Sequence, residues 1–353
     1  MSASPVPRDA TSVHELLGPL KPYLETTGVT ELCVNRPGEL HVEREGGWTR
    51  HVIDELTDRW SYALAVAVAS FAAQPLSRDD PFLSARLPGG ERLQAVIPPA
   101  CAEGHVLLSI RLPARSSPSL CDFESQGAFG KVASGDVGLA QSDQRLIALL
   151  RANQIRSFLE EAVRERKNIA IVGDTGSGKT TLMRALCALI GDDERVVTVE
   201  DTHELDRLHP NSANLFYNDA LGIAPSTCIR AALRLRPDRV ILAELRGPEA
   251  FDFINVLMTG HAGSITSFHA ESCDLALQRL AIMAGAHDAA RGYSESRLVR
   301  LAILTIDVIA HLRRTPAGRR MSGVHFDPAA RLGLAGDLRD SRQGGRPQHQ
   351  WGK

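Results

Sequence analysis

Paired cysteines are missing from this sequence. Its six cysteines, Cys33, Cys101, Cys121, Cys187, Cys228 and Cys273, include no two at CxxC spacing. That excludes a zinc ribbon and makes a disulfide framework a poor account of a chain this large. They lie among apolar stretches and are expected as buried, reduced thiols in a reducing compartment. Long apolar runs are missing too. The longest, Trp60 to Ala73, falls short of the roughly 20 residues that cross a bilayer, and it reads as a buried helix. Membrane association would then run through partner proteins or a surface patch. The residues from Met1 to Thr11 hold Pro and Ser but no apolar core, which argues against a secretory signal. Nor is one sign of charge in excess: the formal net charge is −2 and the pI about 6.6. Binding by phosphate neutralisation needs a surplus of Lys and Arg, so a protein coated in nucleic acid is disfavoured, and only a local basic groove would serve that role. Internal repeats are absent.

The 353 residues, 43% hydrophobic and 23% charged, suit a globular protein with two cores. Val29 to Val34 and Leu40 to Glu43 read as strands joined by the Pro37-Gly38 turn. After the helix ending near Ala73 come strand-like runs at Glu91–Ile97 and Val106–Leu112, which together predict a compact α+β unit over residues 12–114. Residues 115–143, with scattered Gly and a Ser116-Ser117-Pro118 stretch, read as an extended linker. From Gln144 the apolar period is helical. From Asn168 helices alternate with strands expected at Ile169–Val172, Val196–Glu200, Val240–Glu244 and Ser264–Phe268, the pattern of a parallel sheet with helices on both faces. A last strand pair, near Thr305–Leu312 and Ser322–Phe326, flanks Pro316-Ala317-Gly318. This second domain is expected over 144–339 and a polar, disordered tail over 340–353.

The densest chemical signal follows the strand Ile169–Val172. Gly173-Asp174-Thr175-Gly176-Ser177-Gly178-Lys179-Thr180 opens the amphipathic segment that begins at Thr181. The glycines let the backbone wrap an anion, so that its N–H groups and the helix N-terminus face phosphate. Lys179 is expected to reach the β- and γ-phosphates of ATP, and the Thr180 hydroxyl to ligate Mg²⁺, with Thr181 completing the binding set.

A phosphate loop holds nucleotide but needs carboxylates to orient water and support the metal shell. In an open parallel sheet these belong at the carboxyl ends of strands. Val196–Val199 runs into Glu200-Asp201, with Glu204 close behind; Val240–Ala243 runs into Glu244; Ser264–Phe268 runs into His269. Each acid alone would read as a solvated loop residue. Three successive strands ending in polar residues of catalytic type favour function. No third ligand at a suitable spacing makes a metal site of His261 and His269. His269 is read as a nucleotide-sensing or subunit-contact residue, while His261 is balanced between that and a structural role. Arg230, Arg234 and Arg236 are expected on a helix ending at Pro237, as a solvated basic face.

These boxes resemble the secretion ATPase superfamily of type IV secretion, type II secretion and type IV pili. The resemblance rests on Gly173–Thr180, on Val199–Leu205, on Ile241–Gly247 and on Thr259–Ala270, in the order of the family's Walker A, Asp, Walker B and His boxes. The Val34-Asn35-Arg36-Pro37-Gly38-Glu39 stretch is most similar to the type IV secretion branch, and the missing CxxC pairs argue against the type II branch. Ala243 stands where the family often has glycine, a change of one methyl. The resemblance implies an α/β fold with a C-terminal RecA-like P-loop ATPase domain and a smaller N-terminal α+β domain. It implies Glu204 as catalytic base, Glu200 and Asp201 near Mg²⁺ and the attacking water, Glu244 as Walker B acid, and His269 as a coupling residue. It also matches Arg92 and Arg111, otherwise ordinary strand arginines, to arginines that the N-terminal domain brings to the γ-phosphate. It further implies a homohexameric ring at the cytoplasmic face of a bacterial inner membrane, peripheral to it, working with other secretion ATPases and inner-membrane platform proteins. Sequence-specific nucleic acid is not an expected partner. The rival reading is a DNA-stimulated translocase. An ABC-type ATPase would need a Ser-Gly-Gly signature, which residues 181–239 lack, and a non-hydrolysing scaffold would lack a catalytic acid.

Overall fold

The computed structural model describes residues 9–44, 47–114, 119–130, 138–205 and 208–334. The expected tail at 340–353 and the linker portions 115–118 and 131–137 lie outside them. Two compact units emerge, Met1–Asp122 with Ile190–Glu244, and Phe123–Leu189 with Leu245–Lys353.

The first unit is built on a six-stranded antiparallel sheet. Its strands are β1 (Val29–Val34), β2 (Glu39–Arg44), β3 (Gly47–Val52), β4 (Phe82–Arg86), β5 (Arg92–Val96) and β6 (Leu107–Arg111), in the order β3-β2-β1-β6-β5-β4. Pro37 and Gly38 make the β1–β2 turn, with Gly38 at φ +76° and Glu39 N–H donating to the Arg36 carbonyl, as a Pro-Gly turn requires. The helix Asp58–Ala72 starts where Thr57 accepts the Trp60 N–H and stops at Ala73 in the left-handed region. Its Leu64, Ala65 and Val68 join Leu32, Val34, Leu40, Val42, Leu93 and Ile110 in one apolar core.

The opposite face of that sheet is also buried, but it is polar. Glu31, His41, Glu43 and Ser109 are all at most 5% exposed. They meet the segment Ile190–Glu244 of the same unit. Arg236 pairs with Glu43 through Nε at 3.1 Å, Asn35 donates to Asn211 at 3.0 Å, and Trp48 Nε1 donates to Asp238 at 3.1 Å. The fully buried Arg195 donates to Asn211 and the Leu235 carbonyl and sits over the Trp48 ring. Buried charge is tolerated where its hydrogen-bonding capacity is met, and this face meets much of it with partners far along the chain. The helix expected to carry Arg236 ends earlier, at Pro225–Arg234. Arg236 lies beyond it at φ +58°, drawn to Glu43 and Asp238 rather than out to solvent. Arg230 and Arg234, on the helix itself, are exposed as expected, and Arg234 also donates to Ser84.

Seven further strands follow: β7 (Ile169–Gly173), β8 (Val196–Glu200), β9 (Ser212–Phe216), β10 (Arg239–Leu242), β11 (Ile265–Phe268), β12 (Val308–Thr315) and β13 (Gly318–His325). In the first unit β10, β8 and β9 pair in parallel. In the second, β7 is flanked by parallel β11 and β12, and β13 closes an antiparallel hairpin with β12. Every residue of β7 is buried, as a central parallel strand must be. Asn168, just before it, donates to the Thr305 carbonyl and accepts from the Gly263 and Ser264 N–H groups, fixing where β7 starts.

Strands β3, β4 and β9 go beyond the sequence expectations. Gly47–Val52 is half-exposed and polar, Phe82–Arg86 is short, and Ser212–Phe216 lacks β-branched residues, so none carries a strong strand signal. Within the expected linker, Leu120–Ser125 is a short helix and the next helix begins at Gln141. The cysteines are all free. Four are buried, and burial pushes Cys33 up to about 11 and Cys228 to about 12. Cys273 is half-exposed and Cys121, on the exposed 119–130 stretch, is exposed, so those two depart from the buried expectation. No helix among the described residues is long and apolar enough to cross a membrane.

Candidate nucleotide-binding site

The phosphate loop lies wholly in the second unit, between β7 and the helix Lys179–Cys187. Gly173 ends the strand at φ +144°, and a methyl there would sit 2.0 Å from the Leu312 carbonyl oxygen of β12. Only glycine fits. Gly176 and Gly178 take φ of +74° and +100°, the left-handed region that glycine enters at little cost, and Gly178 is the N-cap of the helix. Asp174, Thr175 and Gly176 are exposed, Ser177 is buried, and Thr180 is half-exposed on the first turn, followed by exposed Thr181. Lys179 is 8% exposed, and its ammonium donates to the carbonyls of Gly173 at 3.0 Å and Asp174 at 3.1 Å. It also lies 3.5 Å from Nδ1 of His269. The sequence-expected loop and His269, 90 residues apart, are thus brought together.

His269 is exposed, one residue beyond β11. His261 is placed differently: its Nδ1 lies 3.3 Å from the Val256 carbonyl, at the end of the helix Glu249–Met258, and its own carbonyl accepts from Ser264. That is the structural one of the two readings.

The carboxylates at the ends of β8 and β10 belong to the first unit. Glu200 is fully buried. Its Oε2 accepts the N–H groups of Glu204 and Leu205, both at 2.9 Å, and its Oε1 accepts the Thr198 hydroxyl at 3.0 Å. Burial pushes its pKa up, and the donors from Leu205, Thr198, Glu204 and Asn214 oppose that rise. Glu200 therefore pins the turn that follows it. On that turn Asp201 is half-exposed, and His203 stacks on Phe216 at 3.7 Å between ring centroids. Glu204 is exposed, on a backbone that Glu200 anchors. Glu244 is half-exposed, two residues past β10, and the neighbouring Ala243 N–H still pairs with Val199. The extra methyl of Ala243 leaves that pairing intact.

Arg92 and Arg111 are direct cross-strand partners on β5 and β6, and both are exposed. The sequence reading missed a third member of the row. Arg86 of β4 pairs with Arg92, and all three line one cavity of about 790 Å³ together with Thr26, Thr27 and Gly28. The signal was there in Leu87-Pro88-Gly89-Gly90, a tight turn closed by Gly90 N–H on the Leu87 carbonyl, which sets residue 86 opposite residue 92. Like charges directly opposite one another destabilise a sheet, so such a row suits an anion.

Comparison with known proteins fits this chemistry. Residues 139–315 match the family described as type II/IV secretion system protein. The VirB11 protein of the Brucella suis type IV secretion system is 41% identical over 336 residues, 92% of this chain and 93% of its own length. The chain belongs to that family. Within it the chain falls in the type IV secretion ATPase branch. PtlH of Bordetella pertussis, also a type IV secretion system protein, is 40% identical over 87% of the chain and 92% of its own length. The crystal structure of the VirB11 ATPase of Brucella suis, in complex with sulphate, superposes with a TM-score of 0.88 at 42% identity, covering 92% of this chain and 97% of that one. The fold is accordingly that of this family of secretion ATPases, an N-terminal α+β domain followed by a RecA-like domain that carries the nucleotide-binding loop.

Proposed function

We propose that this chain is an ATP-hydrolysing motor of a type IV secretion system, powering substrate export or assembly of the apparatus or pilus. The observation that carries it is the phosphate loop: a nearly buried Lys179 held by the loop's own carbonyls, following a strand whose last residue can only be glycine. The nucleotide would occupy Gly173 to Thr181, with Lys179 on its β- and γ-phosphates. The donors suit Mg²⁺, which takes one or two protein oxygens and completes its shell from phosphate and water. Thr180 offers a hydroxyl and Asp201 a carboxylate, and no cluster of three His, Cys, Asp or Glu is found among the described residues to form a closed metal cage. When bound, Mg²⁺ would neutralise charge on the transferring phosphoryl group.

Glu204, exposed on a turn anchored by Glu200, is the proposed base that orients water. Glu244 is the proposed Walker B acid. His269, beside the Lys179 ammonium, would report the state of the phosphate site. Arg92 and Arg111 would meet the γ-phosphate when residues 12–114 close on the ATPase domain at 144–339, with 115–143 as the connection. We place the motor as a homohexamer peripheral to the cytoplasmic face of the inner membrane, beside other secretion ATPases and platform proteins. No observation favours a DNA-stimulated translocase.

The test is phosphate release by the purified chain and by Lys179→Ala. Loss of turnover in the variant with unchanged thermal unfolding is expected; turnover near the parent rate would sink the assignment. Native mass measurement with and without ATP checks the ring.

A further inference from the structure

The hairpin of β12 and β13 has a part in the phosphate site that no strand-end pattern signals. In the parallel β7–β12 pair, Leu312 is opposite Gly173, the residue that opens the phosphate loop. β12 then continues through Arg313, Arg314 and Thr315, while β7 gives way to the loop. Among the described residues the overhanging end of β12 pairs with no strand but β13, in the register Arg314 opposite Arg319 and Arg313 opposite Arg320. The hairpin therefore carries its arginines past the strand and alongside the loop.

One of them arrives. A methyl placed on Gly178 would lie 3.0 Å from Cδ of Arg319, 3.6 Å from its Nε and 3.8 Å from its Nη1. The Arg319 guanidinium is thus packed against the glycine that caps the Lys179–Cys187 helix, next to the residue that supplies the loop's ammonium. That is a poor place for a lone cation. The helix N-terminus carries a partial positive charge, Lys179 adds a full one, and Arg314 across the hairpin adds another. Among the described residues no hydrogen bond or ion pair compensates Arg319, and its side chain stays exposed.

We infer that Arg319 is a nucleotide-phosphate ligand supplied by the same subunit as the loop. Its planar guanidinium offers forked N–H donors that match phosphate oxygens two at a time. A phosphate seated on the loop would lie among three positive groups, the helix N-terminus, Lys179 and Arg319, and would remove the repulsion between them. Because Gly173 allows the β7–β12 approach that brings the hairpin in, the same glycine shapes the loop and admits its third positive group. Arg319 belongs to the second unit, as the loop does. It should therefore bind ADP and ATP alike, and set affinity, whereas the proposed γ-phosphate arginines set turnover.

This inference rests on the nucleotide reading of the loop, and the experiment separates the two. Equilibrium binding of ADP and of inorganic pyrophosphate is measured on the full chain, on Arg319→Ala, on Arg319→Lys and on Arg320→Ala. The neighbouring Arg320 points to the other side of the strand and serves as the control. Arg319→Ala is expected to weaken ADP and pyrophosphate by the same factor, about tenfold or more, the scale of a charge-assisted bond. Arg319→Lys should recover part of the loss, Arg320→Ala should match the parent, and thermal unfolding should be unchanged throughout. If ADP weakened while pyrophosphate did not, the guanidinium would be holding the base or ribose, and the inference would be overturned. Parent-like affinities in Arg319→Ala would overturn it too while leaving the loop assignment standing. A parent chain that bound neither probe would overturn both.

Discussion

Glu200 accepts the main-chain N–H of Glu204 on its Oε2 at 2.9 Å, so a buried carboxylate sets the position of an exposed one. The two acids then differ in what an amide does to them. Glu204→Gln should keep nucleotide affinity and lose turnover by roughly 10² or more, the scale of a positioned base. In Glu200→Gln the amide oxygen still accepts from the Glu204 and Leu205 N–H groups, while its NH₂ can face Thr198. Turnover should stay within about threefold of the parent, because the two main-chain donors that fix the turn remain satisfied. Glu200→Ala strands those donors and should lower stability by about 2–4 kcal/mol, read from urea unfolding. Collapse of turnover in Glu200→Gln with near-parent turnover in Glu204→Gln would move the base from Glu204 to Glu200.

Gly173→Ala puts a methyl 2.0 Å from the Leu312 carbonyl oxygen at a φ of +144°. Either the β7–β12 pairing opens or the loop shifts. The expected cost is about 3 kcal/mol or more of stability, together with loss of nucleotide binding. Parent-like unfolding and binding would show that the strands can part freely there.

Arg111→Ala, and Arg92→Ala with it, should reduce turnover strongly while leaving ADP affinity nearly unchanged, since a γ-phosphate contact exists only with ATP. Protease sensitivity of residues 115–143 should be lower with a non-hydrolysable ATP analogue than with ADP. A fall in ADP affinity parallel to turnover would instead place these arginines in ground-state binding. Deleting residues 1–114 is a poor control. It strips Glu43 from Arg236 and Trp48 from Asp238, so a loss of turnover would not separate the arginines from the lost packing.

How much of this was legible in the sequence depends on distance along the chain. The phosphate loop was legible because eight adjacent residues carry it. The strand end at Val196–Glu200 was legible because an apolar β-branched run stops at an acid, whereas the strand expected over Val240–Glu244 ends at Leu242, two residues before its acid. Glu200 and Glu204, four residues apart, look alike in sequence; only folding buries one and exposes the other. Arg86 needed the register of a hairpin. Arg319 needed the β12–β13 overhang, a relation between segments some 140 residues apart, for which no local pattern exists. The polar underside of the first sheet was also illegible, since Glu31, His41 and Glu43 read as ordinary outward-facing strand residues.

That underside makes a pH prediction. His41 is buried, and burial, together with the nearby Arg195 charge, pushes its pKa down to about 4; Glu39, 3.8 Å away, opposes the shift, while Arg36 and Arg50 reinforce it. A histidine depressed in the fold is protonated first in the unfolded chain. Its contribution is therefore complete above about pH 6.5 and lost as pH falls from there towards 4. Urea midpoints at pH 7.5 and 5 should differ more in the parent than in His41→Gln. Identical pH dependence in the two would remove His41 from the account.

Glu43 and Arg236 are 193 residues apart, which matters while the chain is being made. At about 5–20 residues per second of synthesis, the N-terminal sheet waits roughly ten to forty seconds for the segment that will cover its second face. Its apolar core, from Val13 to Ile110, is local and can close at once. What stays uncovered carries the carboxylates of Glu31 and Glu43 with His41 and Ser109, beside Cys33, and water can solvate those polar groups in the meantime. A greasy face left bare for so long would invite the wrong partner. Writing this late-formed contact in charge lets the nascent chain wait without becoming sticky.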